Sequence, residues 1–339
     1  MTGSTISGYA ALSKGASLTP FTYEPPPLGE NEVRIGITHC GLCGTDIQGI
    51  DNYYRIVNYP FVPGHEVIGH ISEVGELVPR GRIGERVGVG WQGRACMKCE
   101  WCLQGEVNLC MNVARNGTWE PFGGFSTSIA VQEGFAYPIP DAMPSEVAAV
   151  LMCAGITVYS ALHKYATAPS LKIGIVGIGG LGHLAIQFAR AMGCEVTSIS
   201  SSPAKRDEAL SLGAHDFVVS SDQDTLDSLA YNFDLLLVTA HGGVKWARML
   251  EILKKQGKLI LAGFPDLNLD SIDLVAHELS ITGSFLGTQA DMRDMLRFAQ
   301  VHHIQPMIEV MPMSKVNEAI ERVKQNQARY RIVLVNDLG

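Results

Sequence analysis

No stretch of this 339-residue sequence reads as an unbroken apolar run of the roughly 18–20 residues that a bilayer span requires. The opening, MTGSTISGYAALSKG, lacks the charged-then-apolar order of a signal peptide. Positive charge is also short: 26 Lys and Arg stand against 34 Asp and Glu, for a net charge of −8. These shortages argue against a membrane, a secretory leader and nucleic acid as partners. The cytoplasm is the expected compartment. The sequence has no internal repeat of the solenoid kind and no low-complexity segment. With 46% hydrophobic residues, 18% charged residues and 36 glycines it has a globular composition, long enough for about two domains.

Cysteine is present in quantity. Eight are found, and four of them, Cys96, Cys99, Cys102 and Cys110, crowd into CMKCEWCLQGEVNLC. In a reducing compartment structural disulfides are rare, and paired C-x2-C spacings more often bind metal. Four thiolates suit a tetrahedral zinc that holds a lobe together and leaves no open position for chemistry. An iron–sulfur cluster is the rival reading, although ferredoxin-type runs usually continue C-x3-C-P, whereas seven residues and then Met111 follow here. Plain free thiols are the third reading.

Along the chain the texture changes near Ser145. Before it, NEVRIGITHCG, HEVIGHISEVG and GERVGVGWQG read as short strands between turn residues, a β-rich domain with many loops. SEVAAVLMCAGITVYSALHKY has helical spacing. Strands KIGIV, CEVTSISSS, HDFVVSS, FDLLLVTA, GKLILAGF and LSITGSFLGT then alternate with helices at HLAIQFARAMG, PAKRDEALSLG and KWARMLEILKK. That alternation implies parallel βαβ units with helices on both faces. ADMRDMLRFAQVHH and SKVNEAIERVKQNQ are helical, and RYRIVLV is a strand returning to the first domain. The expected fold class is α/β, a doubly wound parallel sheet beside a β-rich domain.

Gly177-Ile178-Gly179-Gly180-Leu181-Gly182 fits G-x-G-x-x-G, and it follows a strand and opens a helix, the context that gives the motif meaning. The first glycine permits the tight turn, the second lets a pyrophosphate approach, and the third packs helix on strand. The helix N-terminus offers free amides to the phosphates. A glycine-rich packing turn is the bland alternative. Where an NAD site would usually place an acid on the ribose, the chain reads Ser200-Ser201-Ser202-Pro203-Ala204-Lys205. Hydroxyls and a cation suit a 2′-phosphate, so NADP(H) is expected. Ser202 could serve only as the cap of the helix at Pro203.

Cysteine spacing does not group the outlying thiols. HCGLCGTD, VPGHEVIG, the four-cysteine run, CAGIT and GIGGLG, however, stand in the order found in the zinc-dependent medium-chain alcohol dehydrogenases. SSSPAK and ARYRIVL resemble the branch of cinnamyl alcohol dehydrogenases and NADPH-dependent aldehyde reductases. The resemblance runs over essentially the whole chain. It implies a GroES-like catalytic domain over 1–154 carrying two zinc ions, a Rossmann NADP-binding domain over 155–288, and a return to the catalytic domain over 289–339. It also implies a small-molecule aldehyde or alcohol substrate and a homodimer or homotetramer.

Residue by residue, the resemblance implies a catalytic zinc on Cys43, His65 and Cys153, with Glu66 as transient ligand and Asp46 orienting His65. Such a set leaves one position open for chemistry. Thr45 corresponds to the hydroxyl that passes the alcohol proton. Thr45, Thr157, the glycine turn, Ser200 to Ser202, Lys205, Thr239, Gly263, Ser284, Phe285, Leu286 and Arg331 match cofactor positions, Arg331 as a cation for the pyrophosphate. Phe285 and Trp119 are expected at the substrate pocket, with Tyr53 and Tyr54 in loops near it. One departure stands out: many relatives carry a proton-relaying His where this chain has Gln48. A glutamine does not titrate near pH 7, which leaves the route to ribose hydroxyls and water, or to His39 or His70. Cys40 and Cys194 are read as packing, and His163, His302 and His303 as surface or interface. The expected activity is hydride transfer between NADP(H) and an aldehyde/primary-alcohol pair of broad range. Polyol or sugar oxidation, or NADPH binding without catalysis, are the alternatives.

Overall fold

The computed structural model describes residues 5–113 and 117–338. The chain forms two compact units. One comprises Met1–Cys153, Thr288–Gln300 and Pro306–Gly339, and the other Ala154–Gly287 and Val301–Gln305.

The first unit is built on a mixed seven-stranded sheet whose centre is the eleven-residue strand Glu32–Leu42. Val33 and Ile35 are fully buried, and Ile37 nearly so. This strand pairs antiparallel with Glu66–Val74, Ser128–Gln132 and Arg331–Val335. Arg331–Val335 also pairs in parallel with Ile308–Pro312. Ile332, Val333 and Leu334 are all fully buried, so the strand near the C-terminus is a core strand of this sheet. Register then decides where chemistry can sit. Gly41 lies opposite Glu66, and Ile332 opposite Leu42, which brings the ends of three sequence-distant strands to one edge of the sheet.

The helical run from Ser145 to Tyr165 is more apolar than its sequence suggested. By length and composition these 21 residues could cross a membrane, contrary to the expectation that no run would, but 89% of the apolar window is buried in the fold. The run is α-helical at Ser145–Val150 and Ile156–Tyr165, with a π-helical turn at Leu151–Gly155 that contains Cys153. Such single turns often mark functional positions, because the extra residue re-aims a side chain.

The second unit is a six-stranded parallel sheet in the order Asp216–Val219, Glu195–Ser200, Lys172–Val176, Phe233–Val238, Leu253–Leu261, Ser280–Gly283. Numbered along the chain this is 3-2-1-4-5-6, the doubly wound order whose switch point lies between the first and fourth strands. Ile173, Ile175, Leu236, Leu237 and Val238 are fully buried, as expected for strands covered on both faces. Here one element differs from the sequence reading. The helix expected over KWARMLEILKK stops at Glu251, and its last two lysines lie in the following strand. Leu253 opens that strand opposite Phe233, and Lys254 pairs with Asp234 at 2.6 Å.

Candidate active site

Cys43 ends the central strand region and is the N-cap of the short helix Gly44–Ile50. Helix propensity is poor in GTDIQGI, with two glycines in seven residues. A capping arrangement compensates, in which Asp46 at the third helical position accepts from the Cys43 amide at 3.0 Å. The other carboxylate oxygen of Asp46, Oδ1, takes three donors: Gly64 N–H at 2.8 Å, His65 Nδ1 at 2.8 Å and the Trp119 indole N–H at 3.2 Å. Asp46 and His65 are fully buried. Asp46 thus fixes both the helix start and the imidazole, leaving His65 Nε2 directed at Cys153 Sγ, 3.3 Å away. The Cys43 and Cys153 sulfurs are 4.0 Å apart.

Glu66 completes the group: Cys43, His65, Glu66 and Cys153 each place a ligand atom within 4.8 Å of the others. One Glu66 oxygen, Oε1, accepts from Arg331; the other, Oε2, is buried with no hydrogen-bond partner. A Cβ on Gly41 would collide with that second oxygen, so the glycine of HCG makes room for the carboxylate. Hydrogen bonding from Cys153 holds the Cys43 thiol well below its ordinary pKa against the opposing effect of burial, with help from Arg331 and His65. The same contact, together with burial, pushes Cys153 up. Burial pushes the Glu66 carboxyl up to about 7, with Arg331 pulling the other way. Two sulfurs and an imidazole nitrogen, oriented by a buried carboxylate and flanked by an orphaned oxygen, fit a zinc ion with one open position.

Arg331 joins the same group. It lies in the first unit, 5% exposed, with its guanidinium on Glu66 and 3.9 Å from Cys43 Sγ. Its observed partners are members of the metal-ligand group. Residues 265 positions apart meet only because of strand register, and no local pattern signals it.

Cys96, Cys99, Cys102 and Cys110 form the second four-donor group, also within 4.8 Å of one another. Cys99 caps the short helix Glu100–Leu103. Backbone amides of Met111 and Cys102 lower its thiol to about 6. Four sulfurs fit a closed, structural zinc site.

Around Cys43, Thr45 and Gln48 lie three apart on the helix Gly44–Ile50. The Tyr54 hydroxyl donates to Gln48 Oε1 and its oxygen accepts from the Thr45 side chain. Tyr53 is largely exposed and stands edge-on to Tyr54, with ring centroids 5.3 Å apart. His39 is engaged with Thr38 and lies 3.8 Å from Glu146, and His70 is exposed on its strand. Trp119, 5% exposed, packs edge-on against His65 and Phe61. It also lines a cavity of about 220 Å³ together with Phe61, Trp91, Phe122, Val57 and Glu120. Its anchoring to Asp46 was not foreseen.

In the second unit, the expected cofactor residues collect at the carboxyl ends of the parallel strands. Gly177 follows Val176, Ser201 follows Ser200, Thr239 follows Val238, and Ser284 follows Gly283. Gly263 lies two residues beyond Leu261. Gly177 has φ +95°, and a Cβ there would lie 2.9 Å from Ala240 N. A Cβ on Gly182 would strike the Gly177 carbonyl, which is the close helix–strand approach. At Gly179 a Cβ would meet nothing within 4 Å, leaving open space for a phosphate. Thr239 Oγ1 donates to Gly177 O at 2.9 Å, bracing the turn across the switch point. The Lys205 ammonium donates to the Ile178 carbonyl, so the cation of SSSPAK sits on the glycine turn. Ser202 makes no side-chain cap, so capping does not account for it; its amide donates to Ser200 Oγ at 3.2 Å. The Leu286 carbonyl accepts from Ser160, whose Oγ lies 3.4 Å from the Thr157 carbonyl, and Phe285 is partly exposed. This strand-end cradle, with hydroxyls and one ammonium beside the turn, fits a dinucleotide bearing a 2′-phosphate.

Residues 29–141 match the family model described as alcohol dehydrogenase GroES-like domain, and residues 180–300 the one described as zinc-binding dehydrogenase. The chain is 38% identical over 331 residues to aldehyde reductase AdhA of Synechocystis sp., covering 97% of this chain and 98% of that protein. It is 37% identical over 341 residues to NADP-dependent alcohol dehydrogenase C 1 of Mycolicibacterium smegmatis, covering 98% of each. Among solved structures, a cinnamyl alcohol dehydrogenase from Sorghum bicolor is similar with a TM-score of 0.91 at 37% identity, over 98% of this chain and 97% of that one. A GroES-like unit with two clustered ligand sets, a doubly wound unit with a dinucleotide turn, and whole-length identity at this level agree: the chain belongs to the zinc-dependent alcohol dehydrogenase family.

Proposed function

We propose that the protein is an NADP(H)-dependent aldehyde reductase of broad range, the reductive counterpart of an alcohol dehydrogenase. The observation that carries this reading is the convergence of Cys43, His65 and Cys153, with His65 Nε2 3.3 Å from Cys153 Sγ and Asp46 holding its other nitrogen. A noncatalytic NADPH-binding protein has no need of such a set. Zinc at this group supplies a Lewis acid for the substrate oxygen, and NADPH supplies the hydride.

The chain's own residues do the rest. Asp46 keeps the imidazole in the tautomer with Nε2 free to ligate, and its burial stops water from competing for Nδ1–H. Thr45, two residues past Cys43, gives the substrate oxygen its proton. In the second unit Gly179 admits the pyrophosphate, and Ser200, Ser201 and Lys205 receive the 2′-phosphate through charge-assisted hydrogen bonds. None of the eight cysteines is joined in a disulfide, and six of them form the two ligand groups, which supports a reducing compartment such as the cytoplasm.

Initial rates with NADPH and with NADH against aldehydes from short aliphatic to cinnamyl test the proposal. Turnover with NADPH, strongly reduced with NADH, is expected. No turnover of any aldehyde, with polyols oxidised instead, would overturn it.

A further inference from the structure

Aldehyde reduction consumes a proton from water, and Thr45 must be recharged after each turnover. Position 48, where an imidazole would do this, holds an amide. The structure shows another group already joined to Thr45. After the helix Gly44–Ile50 the chain turns back on itself, with Asn52 at φ 47° and Arg55 at φ 59°. Asn52 holds the loop by paired bonds to Val57, donating to its carbonyl at 3.3 Å and accepting from its amide at 3.2 Å. The Tyr53 amide donates to the Gln48 carbonyl at 2.9 Å. These bonds fold Tyr54 over the helix face that carries Thr45 and Gln48. Its phenol meets both side chains, and its ring is only half-buried.

We propose that Tyr54 is the positioning residue through which Thr45 exchanges its proton with solvent, with Gln48 holding the phenol in place. This rests on the reading of Thr45 as proton donor. In reduction the Thr45 hydroxyl proton goes to the substrate oxygen, the Tyr54 hydroxyl turns from Gln48 Oε1 to pass its proton to Thr45 Oγ1, and water supplies a new proton to the Tyr54 oxygen. Each hydroxyl gains one proton as it loses one, so nothing titrates and Tyr54 is neither oxidised nor reduced. Burial keeps the phenol protonated, with its pKa raised to about 12, so it acts only by this concerted exchange. Gln48 cannot titrate; its carbonyl oxygen accepts the phenol proton at rest and so keeps the hydroxyl beside Thr45.

The test uses the full-length zinc- and NADPH-loaded enzyme and follows single-turnover NADPH oxidation together with proton uptake, reported by a pH-indicator dye. Tyr54→Phe keeps the ring and removes the hydroxyl. Positioned proton transfer contributes about 10²–10⁴-fold to rate, and water can partly substitute. A fall of about 10–100-fold in proton uptake and turnover is therefore expected, with a larger solvent deuterium isotope effect. The NADPH dissociation constant, read from nicotinamide fluorescence, and the zinc content stay unchanged. Gln48→His in the Tyr54→Phe background should restore a substantial part of the rate by supplying an imidazole. Wild-type proton uptake in Tyr54→Phe, or loss of zinc or NADPH affinity in that variant, overturns the proposal. Thr45→Val separates the two levels: if it keeps full activity, the Thr45 reading itself fails. If it is inactive while Tyr54→Phe is normal, only the relay falls.

Discussion

Asp46→Asn probes how much of the active site depends on one buried carboxylate. Asp46 accepts four hydrogen bonds, from Cys43 N, Gly64 N, His65 Nδ1 and Trp119 Nε1, at 2.8–3.2 Å and with no solvent exposure. Alanine would strand four buried donors at about 1–3 kcal/mol each. The sum approaches the roughly 5–15 kcal/mol that holds a typical domain together, so that variant would test folding and not the site. Asparagine keeps the shape. Its remaining oxygen can serve the three donors on the Oδ1 side, while its amide NH2 faces the Cys43 N–H and leaves that donor unpaired. That costs about 1–3 kcal/mol in stability. The second effect is on His65, whose Nδ1–H loses a charged acceptor. Partners of this kind are worth about 10–100-fold in metal affinity, ~1.4–2.7 kcal/mol. The assay is metal content after dialysis against graded chelator. None of the four donors to Asp46 belongs to the Cys96–Cys110 group, so the zinc held there is an internal reference. Loss of one zinc per chain at about 10–100-fold less chelator than the wild type needs, with the other retained, is expected. Equal resistance of both zincs to chelator in wild type and variant would refute the reasoning.

Cys153→Ala removes the ligand on the π-turn and should abolish turnover while the circular dichroism spectrum and the four-cysteine zinc persist; full activity would show that the ligand set is wrong. Lys205→Ala deletes an ammonium that sits on the glycine turn. A charge-assisted hydrogen bond is worth about 1.5–3 kcal/mol, so KM for NADPH should rise about 10–100-fold with KM for NADH nearly unchanged, as measured by initial rates. Cys99→Ser should weaken the second zinc site and expose the 96–113 segment to limited proteolysis, with turnover less affected than by Cys153→Ala.

Local chemistry was legible from local sequence. GIGGLG names its own role because its spacing is local, as the approach of Gly182 to the Gly177 carbonyl five residues earlier shows. The four-cysteine lobe is similarly self-contained, with its ligands inside fifteen residues. What could not be read is what register and loop closure create. Cys43 and Cys153 are 110 residues apart, and only family resemblance grouped them. The pairing of Arg331–Val335 with the central strand brings Arg331 to Glu66, a contact that no local pattern announces. The π-turn at Leu151–Gly155 is invisible in an apolar run that reads as one helix. The helix Gly44–Ile50 was missed because two glycines mask it, and its capping depends on Asp46. Tyr54 was placed only in a loop; its contact with Gln48 needs the left-handed backbone at Asn52 and Arg55.

The central claim is that an open metal held by Cys43, His65 and Cys153 makes NADPH-dependent reduction possible. The most direct test is to strip that metal selectively with chelator, measure NADPH-dependent aldehyde reduction, and titrate zinc back. The account predicts that activity falls with the first zinc lost and returns in proportion to one zinc per chain. Full reduction rates in the stripped enzyme would contradict it.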